Sequence, residues 1–194
     1  TIDLNHCSVI RDTGRYDNAL FDIRQGKLRI FSTQLTGIPA NDWNMQFRSA
    51  AYTSCLFRVG KNGALQLTNI SGATPYQGMA YGQIDGGHYR NMIDTFSPDK
   101  ETRGAAILID GGTAVINGGK YEGTACGVAV RNDAQLTVNH GYIGSWDTGL
   151  YIGGSANAVI NDGEFDRYEI TSSSSKSQNC AVMMESSGDL TIHN

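Results

Sequence analysis

Apolar and polar residues alternate along this chain in short runs, and from Gly111 the runs return at a fixed spacing. The segments GGTAVINGGKYEGTACGVAVRN, DAQLTVNHGYIGSWDTGLYIGG and SANAVINDGEFDRYEITSSSSKSQNCAVMMES start at Gly111, Asp133 and Ser155, a constant 22-residue repeat. A fourth, SGDLTIHN, starts at Ser187 after a longer interval, stretched around a run of four serines. In register, Ala114 and Ile116 match Leu136 and Val138, then Ala158 and Ile160. Val128 and Val130 match Leu150 and Ile152, then Val182 and Met184, and between these sets Tyr121, Ile143 and Phe165 coincide. Period-two alternation broken by Gly and Asn predicts strands, not helices. Three short strands within one such repeat leave no room for a helical crossover. The pattern predicts a parallel β-helix, each coil stacked on the next at about 4.8 Å.

The same register runs back through Leu65 and Leu67, Leu28 and Ile30, and Ile2 and Leu4. It predicts one domain over 1–194 of about six coils, at 1–25, 26–62, 63–110, 111–132, 133–154 and 155–186, with a stump at 187–194. The early coils exceed the length of the later repeat, so loops are expected at 37–50 and 72–102.

Composition agrees with many tight turns, with 24 glycines and 3 prolines. No apolar run is long enough to span a membrane as a helix. A net charge of −4 without a basic stripe argues against nucleic acid. The chain has no initiating Met or signal peptide and opens and closes inside a coil, so it reads as a piece of a longer protein. Cys55, Cys126 and Cys180 precede the inward positions Phe57, Val128 and Val182 by two residues, so all three are expected to point inward. With Gly104 and Thr148 between them they stand roughly 9.6 Å apart, too far for disulfides. Cys7 has no placed partner. Without C-x-x-C spacing no zinc site, other metal or cofactor is expected.

Asn117, Asn139 and Asn161 stack at one strand end, with His193 following them in the stump. A ladder of amides is expected there. The other histidines (His6, His88, His140) read as surface or turn residues.

On the outward side, the third strands present Arg58, Ile107, Ala129, Tyr151 and Met183, an apolar row that predicts cover by a second chain or by a loop around 171–178. Ile107, Tyr151 and Met183 are the candidate interface. The outward row on the first strands is Arg29, Gln66, Val115, Thr137, Val159 and Thr191. For chemistry, the turn after Tyr121, Ile143 and Phe165 stacks Trp146 beside Tyr168 and Asp147 beside Glu169. Asp166 and Arg167 lie just before, and Glu122 one coil further from Asp166. Rings that pack on a pyranose face, flanked by carboxylates that take its hydroxyls, suit a sugar: Trp146, Tyr168, Arg167 and Glu122 are the candidate ligand contacts. Asp147, Asp166 and Glu169 are candidate acid and base for glycosidic cleavage. The alternative is a decorated turn with its charges in solvent. A second polar cluster is Asp85, His88, Tyr89 and Arg90.

The stretches GALQLTNISG, GTAVINGGKYEG and ACGVAVRNDAQLTV resemble the right-handed parallel β-helix repeats of bacterial surface adhesins and bacteriophage tail spikes, the pectate-lyase-like fold. The resemblance covers most of the chain and implies a single-stranded right-handed β-helix. The family includes polysaccharide lyases, glycoside hydrolases, adhesins and inert stalks; the polygalacturonase aspartate motifs and Gly-His-Gly are absent. The resemblance implies an extracellular module, on a cell surface or a virion tail, that binds a polysaccharide or receptor. Its tail-spike members imply a homotrimer. A depolymerase and a passive stalk are the other readings.

Overall fold

The computed structural model describes residues 1–3, 9–11, 19, 21–31, 47–49, 55–68, 72–73, 105–123, 126–145, 148–167 and 180–193. Their strands are β1 (Ile2–Asp3), β2 (Val9–Arg11), β3 (Phe21–Phe31), β4 (Phe47–Ser49), β5 (Phe57–Thr68), β6 (Gly72–Ala73), β7 (Ile107–Asp110) and β8 (Thr113–Glu122). They continue as β9 (Cys126–Arg131), β10 (Gln135–Ser145), β11 (Thr148–Gly154), β12 (Asn157–Ile160), β13 (Glu164–Arg167), β14 (Cys180–Ser186) and β15 (Leu190–Ile192). Strand makes up 79% and no helix occurs among the described residues, so the chain is all-β. Every described pairing is parallel, and the sheet winds about 289° round an axis.

The alternation read from the sequence sets the pairing. Leu136 lies between Ala114 and Ala158, and Thr137 between Val115 and Val159, each paired with the same position one repeat before and one repeat after. The outward row Arg29, Gln66, Val115, Thr137, Val159 and Thr191 is continuous across β3, β5, β8, β10, β12 and β15. A second row takes the ends of β8 and β10, where Gly72, Tyr121, Ile143 and Phe165 align. A third runs through β5, β7, β9, β11 and β14, aligning Val130, Ile152 and Met184. The long strands β8 and β10 serve two rows because each turns a corner; β10 shifts register at His140 as it does so.

Inside lies one apolar core, with Leu67, Ile116, Val138, Val130, Ile152 and Tyr121 all buried. The Tyr121 hydroxyl donates to the Gly118 carbonyl at 3.0 Å, which satisfies its one polar group, and burial raises its pKa.

Three expectations are corrected. Ile107 is not outward. It pairs with Phe57 and Val128 and is fully buried in the core, and Leu108 stands beside Arg58 and Ala129 instead. Ala105, not Gly104, therefore lies between Cys55 and Cys126. A one-residue slip exchanges the faces of a strand, and this register places Ile107 and Ile109 inside. The cysteines are the second correction. Leu56 and Phe57 both face the core, as do Ala106 and Ile107, so the alternation breaks at the entry to this row. Cys55, Ala105 and Cys126 consequently join Leu108 and Ala129 in a separate buried cluster, with Ala19 and Tyr151 against it. In the next repeat the bend falls on Gly127, where a Cβ would meet the Gly144 and Gly149 carbonyl oxygens at 2.8 Å. Burial pushes the Cys55 thiol up to about 11, against the opposing pull of Arg58, and the Cys126 thiol donates to the Val128 carbonyl at 3.0 Å. Thr148 does separate Cys126 from Cys180, and Cys55, Cys126 and Cys180 are free thiols. Third, Ile2 pairs with Ile30, not Leu28, a slip of two residues that keeps the face. Leu4 and Cys7 lie outside the described residues.

Candidate functional site

The described residues bring together a corner of the molecule on which the repeat acts three times. After Ile116, Val138 and Ile160 the chain leaves the first row through Asn117, Asn139 and Asn161. The Asn161 amide donates to Asn139 at 2.6 Å and that of Asn139 to Asn117 at 2.7 Å; Asn117 reaches the Thr68 hydroxyl at 3.3 Å. His193 follows in register, its backbone N–H on the Ile160 carbonyl. The amide ladder expected from the sequence is present.

One residue further, the 22-residue period brings up Gly118, His140 and Asp162, then Gly119, Gly141 and Gly163, then Lys120, Tyr142 and Glu164. The bulge in β10 pairs His140 with Asn117, and Tyr142 lies between Lys120 and Glu164. Gly141 and Gly163 have φ of +142° and +145°, and a Cβ on either would come within 3.1 and 3.0 Å of the carbonyl oxygen one repeat above. The middle column is bare backbone for that reason. Side chains on both flanks leave a cleft of about 380 Å³ lined by Gly119, His140, Gly141, Tyr142, Asp162, Gly163 and Glu164. His140 Nδ1 lies 2.8 Å from Asp162 Oδ2, and Asp162 Oδ1 accepts the Gly163 N–H at 2.8 Å. The bond from His140 and then that from Gly163 hold the Asp162 carboxyl below its ordinary pKa, although the side chain is exposed.

From the cleft the surface continues along β10 and β13. Tyr142 lies over Gly144, where a Cβ would sit 2.8 Å from the ring. Its hydroxyl donates to Asp166 Oδ2 at 3.0 Å, and Lys120 Nζ stands 5.0 Å from the ring centroid. The other oxygen of Asp166 accepts the Arg167 N–H at 2.7 Å. With both oxygens engaged, Asp166 is built as an acceptor that orients Tyr142. The Arg167 Nε is buried with no hydrogen-bond partner among the described residues. Glu122 and Asp166 both pair with Gly144, from opposite sides, so they stand two strands apart, roughly 9.6 Å.

Of the other candidates, Trp146, Asp147, Tyr168 and Glu169 lie outside the described residues, as does the cluster at Asp85, His88, Tyr89 and Arg90; of Glu122 only the backbone is described. Tyr151 and Met183 hold their expected places beside Ala129 on the third row. The row is already covered within the one chain at Leu108 and Ala129, 5% and 0% exposed, while Tyr151 and Met183 are half-buried. The Tyr151 hydroxyl reaches Glu185 at 3.3 Å.

The sequence marks His140 only as a surface or turn residue and gives Tyr142, Asp162 and Glu164 no role. The signal was present, since the period that stacks the three asparagines also stacks the residues one and three places later. Among the described residues no group of three or more His, Cys, Asp or Glu side chains could hold a metal ion. No family model, no curated protein and no solved structure matches this chain.

Proposed function

We propose that the chain is a segment of right-handed parallel β-helix, about six coils of three short strands, whose lateral face binds an extended glycan on a cell surface. The parallel 22-residue register and the winding of the sheet support the architecture. The right-handed sense follows from the strong preference of parallel strand crossovers for that hand. The observation that carries the binding role is the corner cleft: it spans three successive repeats, so its length runs along the stack, as a linear polymer would lie. Tyr142 supplies an apolar ring for a pyranose face, and His140, Asp162 and Glu164 supply hydrogen-bonding groups for hydroxyls. Trp146, Tyr168, Arg167 and Glu122 remain the further sugar contacts proposed from the sequence, and in this reading the module works outside the cell, on a bacterial surface or a virion tail. Assembly as a homotrimer would use Tyr151 and Met183.

Gel filtration with a panel of capsular and O-antigen polysaccharides tests it. The expected result is co-elution with one polymer of unchanged size, weakened roughly threefold to tenfold by Tyr142→Ala. Shortening of the polymer would instead make the chain a depolymerase, to be traced with amide variants of Asp147, Asp166 and Glu169. If no polymer is retained or shortened, the stalk reading replaces this one.

A further inference from the structure

The charge distribution around the cleft narrows the sugar it takes. This inference rests on the lateral-face reading above and deepens it. The lining carries two carboxylates, Asp162 and Glu164, and neither lysine nor arginine. Its one imidazole, His140, is held on Asp162 at 2.8 Å. Glu164 is exposed and has no ion pair with any described residue. Lys120, the strand partner of Tyr142 on β8, has its Nζ 5.0 Å from the Tyr142 ring centroid. Next along β13 stands a third carboxylate, Asp166. An acidic sugar entering here meets like charge on two sides with no cation in the lining. An ammonium group meets Glu164 and the remaining lone pairs of Asp162, and its hydrogen bonds there are charge-assisted.

The bare glycine column matters equally. Gly119, Gly141 and Gly163 let a ring approach the backbone between two flanks, Asp162 with His140 on one and Tyr142 with its strand partner Glu164 on the other, so that the apolar face meets Tyr142 while an amine substituent reaches a carboxylate. We propose that the corner cleft is a subsite for an amino sugar with a free amine, and that it discriminates against uronic acids and against the same sugar once N-acetylated.

Isothermal titration of the whole chain with three probes tests this: a glucosamine oligosaccharide, its N-acetylated counterpart and an oligogalacturonate. The expected order is glucosamine first, about fivefold tighter than the N-acetylated form, which is the upper range for an exposed ion pair. Glu164→Gln removes that advantage and leaves the N-acetylated form unchanged, whereas Asp3→Asn, which removes one charge on β1, retains it. The proposal is overturned if the oligogalacturonate or the N-acetylated form binds as tightly. It is also overturned if Asp3→Asn loses as much as Glu164→Gln, because the attraction is then general to an acidic chain. Retention of a polysaccharide on gel filtration together with either result removes this inference alone. Failure of every polymer and every oligosaccharide to bind removes the lateral-face reading with it.

Discussion

At the residue scale, position within the 22-residue period decides what each polar side chain can do. Asp162 and His140 are separated by one period, so the strand spacing brings an imidazole N within 2.8 Å of a carboxylate. The folded carboxyl is held below 3.8, its ordinary value, first by that bond and then by the Gly163 N–H. The folded pKa is the depressed one, so this contribution to stability is present above pH 3.8 and is lost as pH falls through the folded value. His140→Ala is expected to raise the Asp162 pKa toward 3.8 while the Gly163 contribution persists. A carboxyl-carbon NMR titration of both proteins measures it, and an unchanged Asp162 would show that His140 does not act on it. The pair itself could be read from the sequence only by carrying the asparagine register one residue further. Tyr142 bonding to Asp166 could not, because that pair spans 24 residues and depends on a ring lying across Gly144.

At the scale of elements, the corner after β12 and its counterparts in β8 and β10 is held by side chains as well as by the backbone. The interior asparagine of the ladder, Asn139, donates to the repeat on one side and accepts from the repeat on the other, and these bonds are 2.7 and 2.6 Å long. Asn139→Ala breaks two at once. Each exposed bond is worth the lower part of the usual range, so the expected loss is about 1–2 kcal/mol in urea unfolding. Asn161→Ala, which loses its bond to Asn139 and keeps the Asn139–Asn117 bond, should cost less; equal costs would show that the second bond of Asn139 adds no stability. The strands around this corner were legible because inward Leu136 and Val138 recur as Ala158 and Ile160 without interruption. The entry to the third row was not. There Leu56 with Phe57, and Ala106 with Ile107, put two consecutive residues inside, and a bend of that kind leaves no mark in a period-two pattern.

At the scale of the whole molecule, stacking creates the core, so a residue's burial depends on whether a repeat lies on both sides. Ile160 and Ile192 occupy the same inward position on adjacent strands. Ile160 is 3% exposed and Ile192 59%. Ile160→Ala is therefore expected to cost about 2–5 kcal/mol and Ile192→Ala about 1 kcal/mol or less in the same denaturation measurement. Equal costs would show that Ile192 is buried in solution, by chain or by partner. The outward row of the third face follows the same logic in reverse. Leu108 and Ala129 are at positions that an isolated sheet would leave wet, yet both are buried within the single chain. The apolar row in the sequence, with Ile107 in the place that Leu108 takes, predicted cover over this face. It could not say whether the cover was another chain, because hydrophobicity reports that a surface is withheld from water and not by what.

The sequence by itself determined the all-β class, the parallel pairing at 22-residue intervals, the inward sets on β8 to β12 and the asparagine ladder. These follow from local alternation repeated at a constant period, and a period is a property of the chain alone. Only the tertiary structure decided three things: that Ile107 and not Leu108 enters the core, that Cys55 and Cys126 leave it, and that three glycines with their flanking side chains open a cleft. Each depends on a bend or bulge at a corner, where the face a residue takes is set by the carbonyls and side chains of the neighbouring repeat rather than by the residues beside it in sequence.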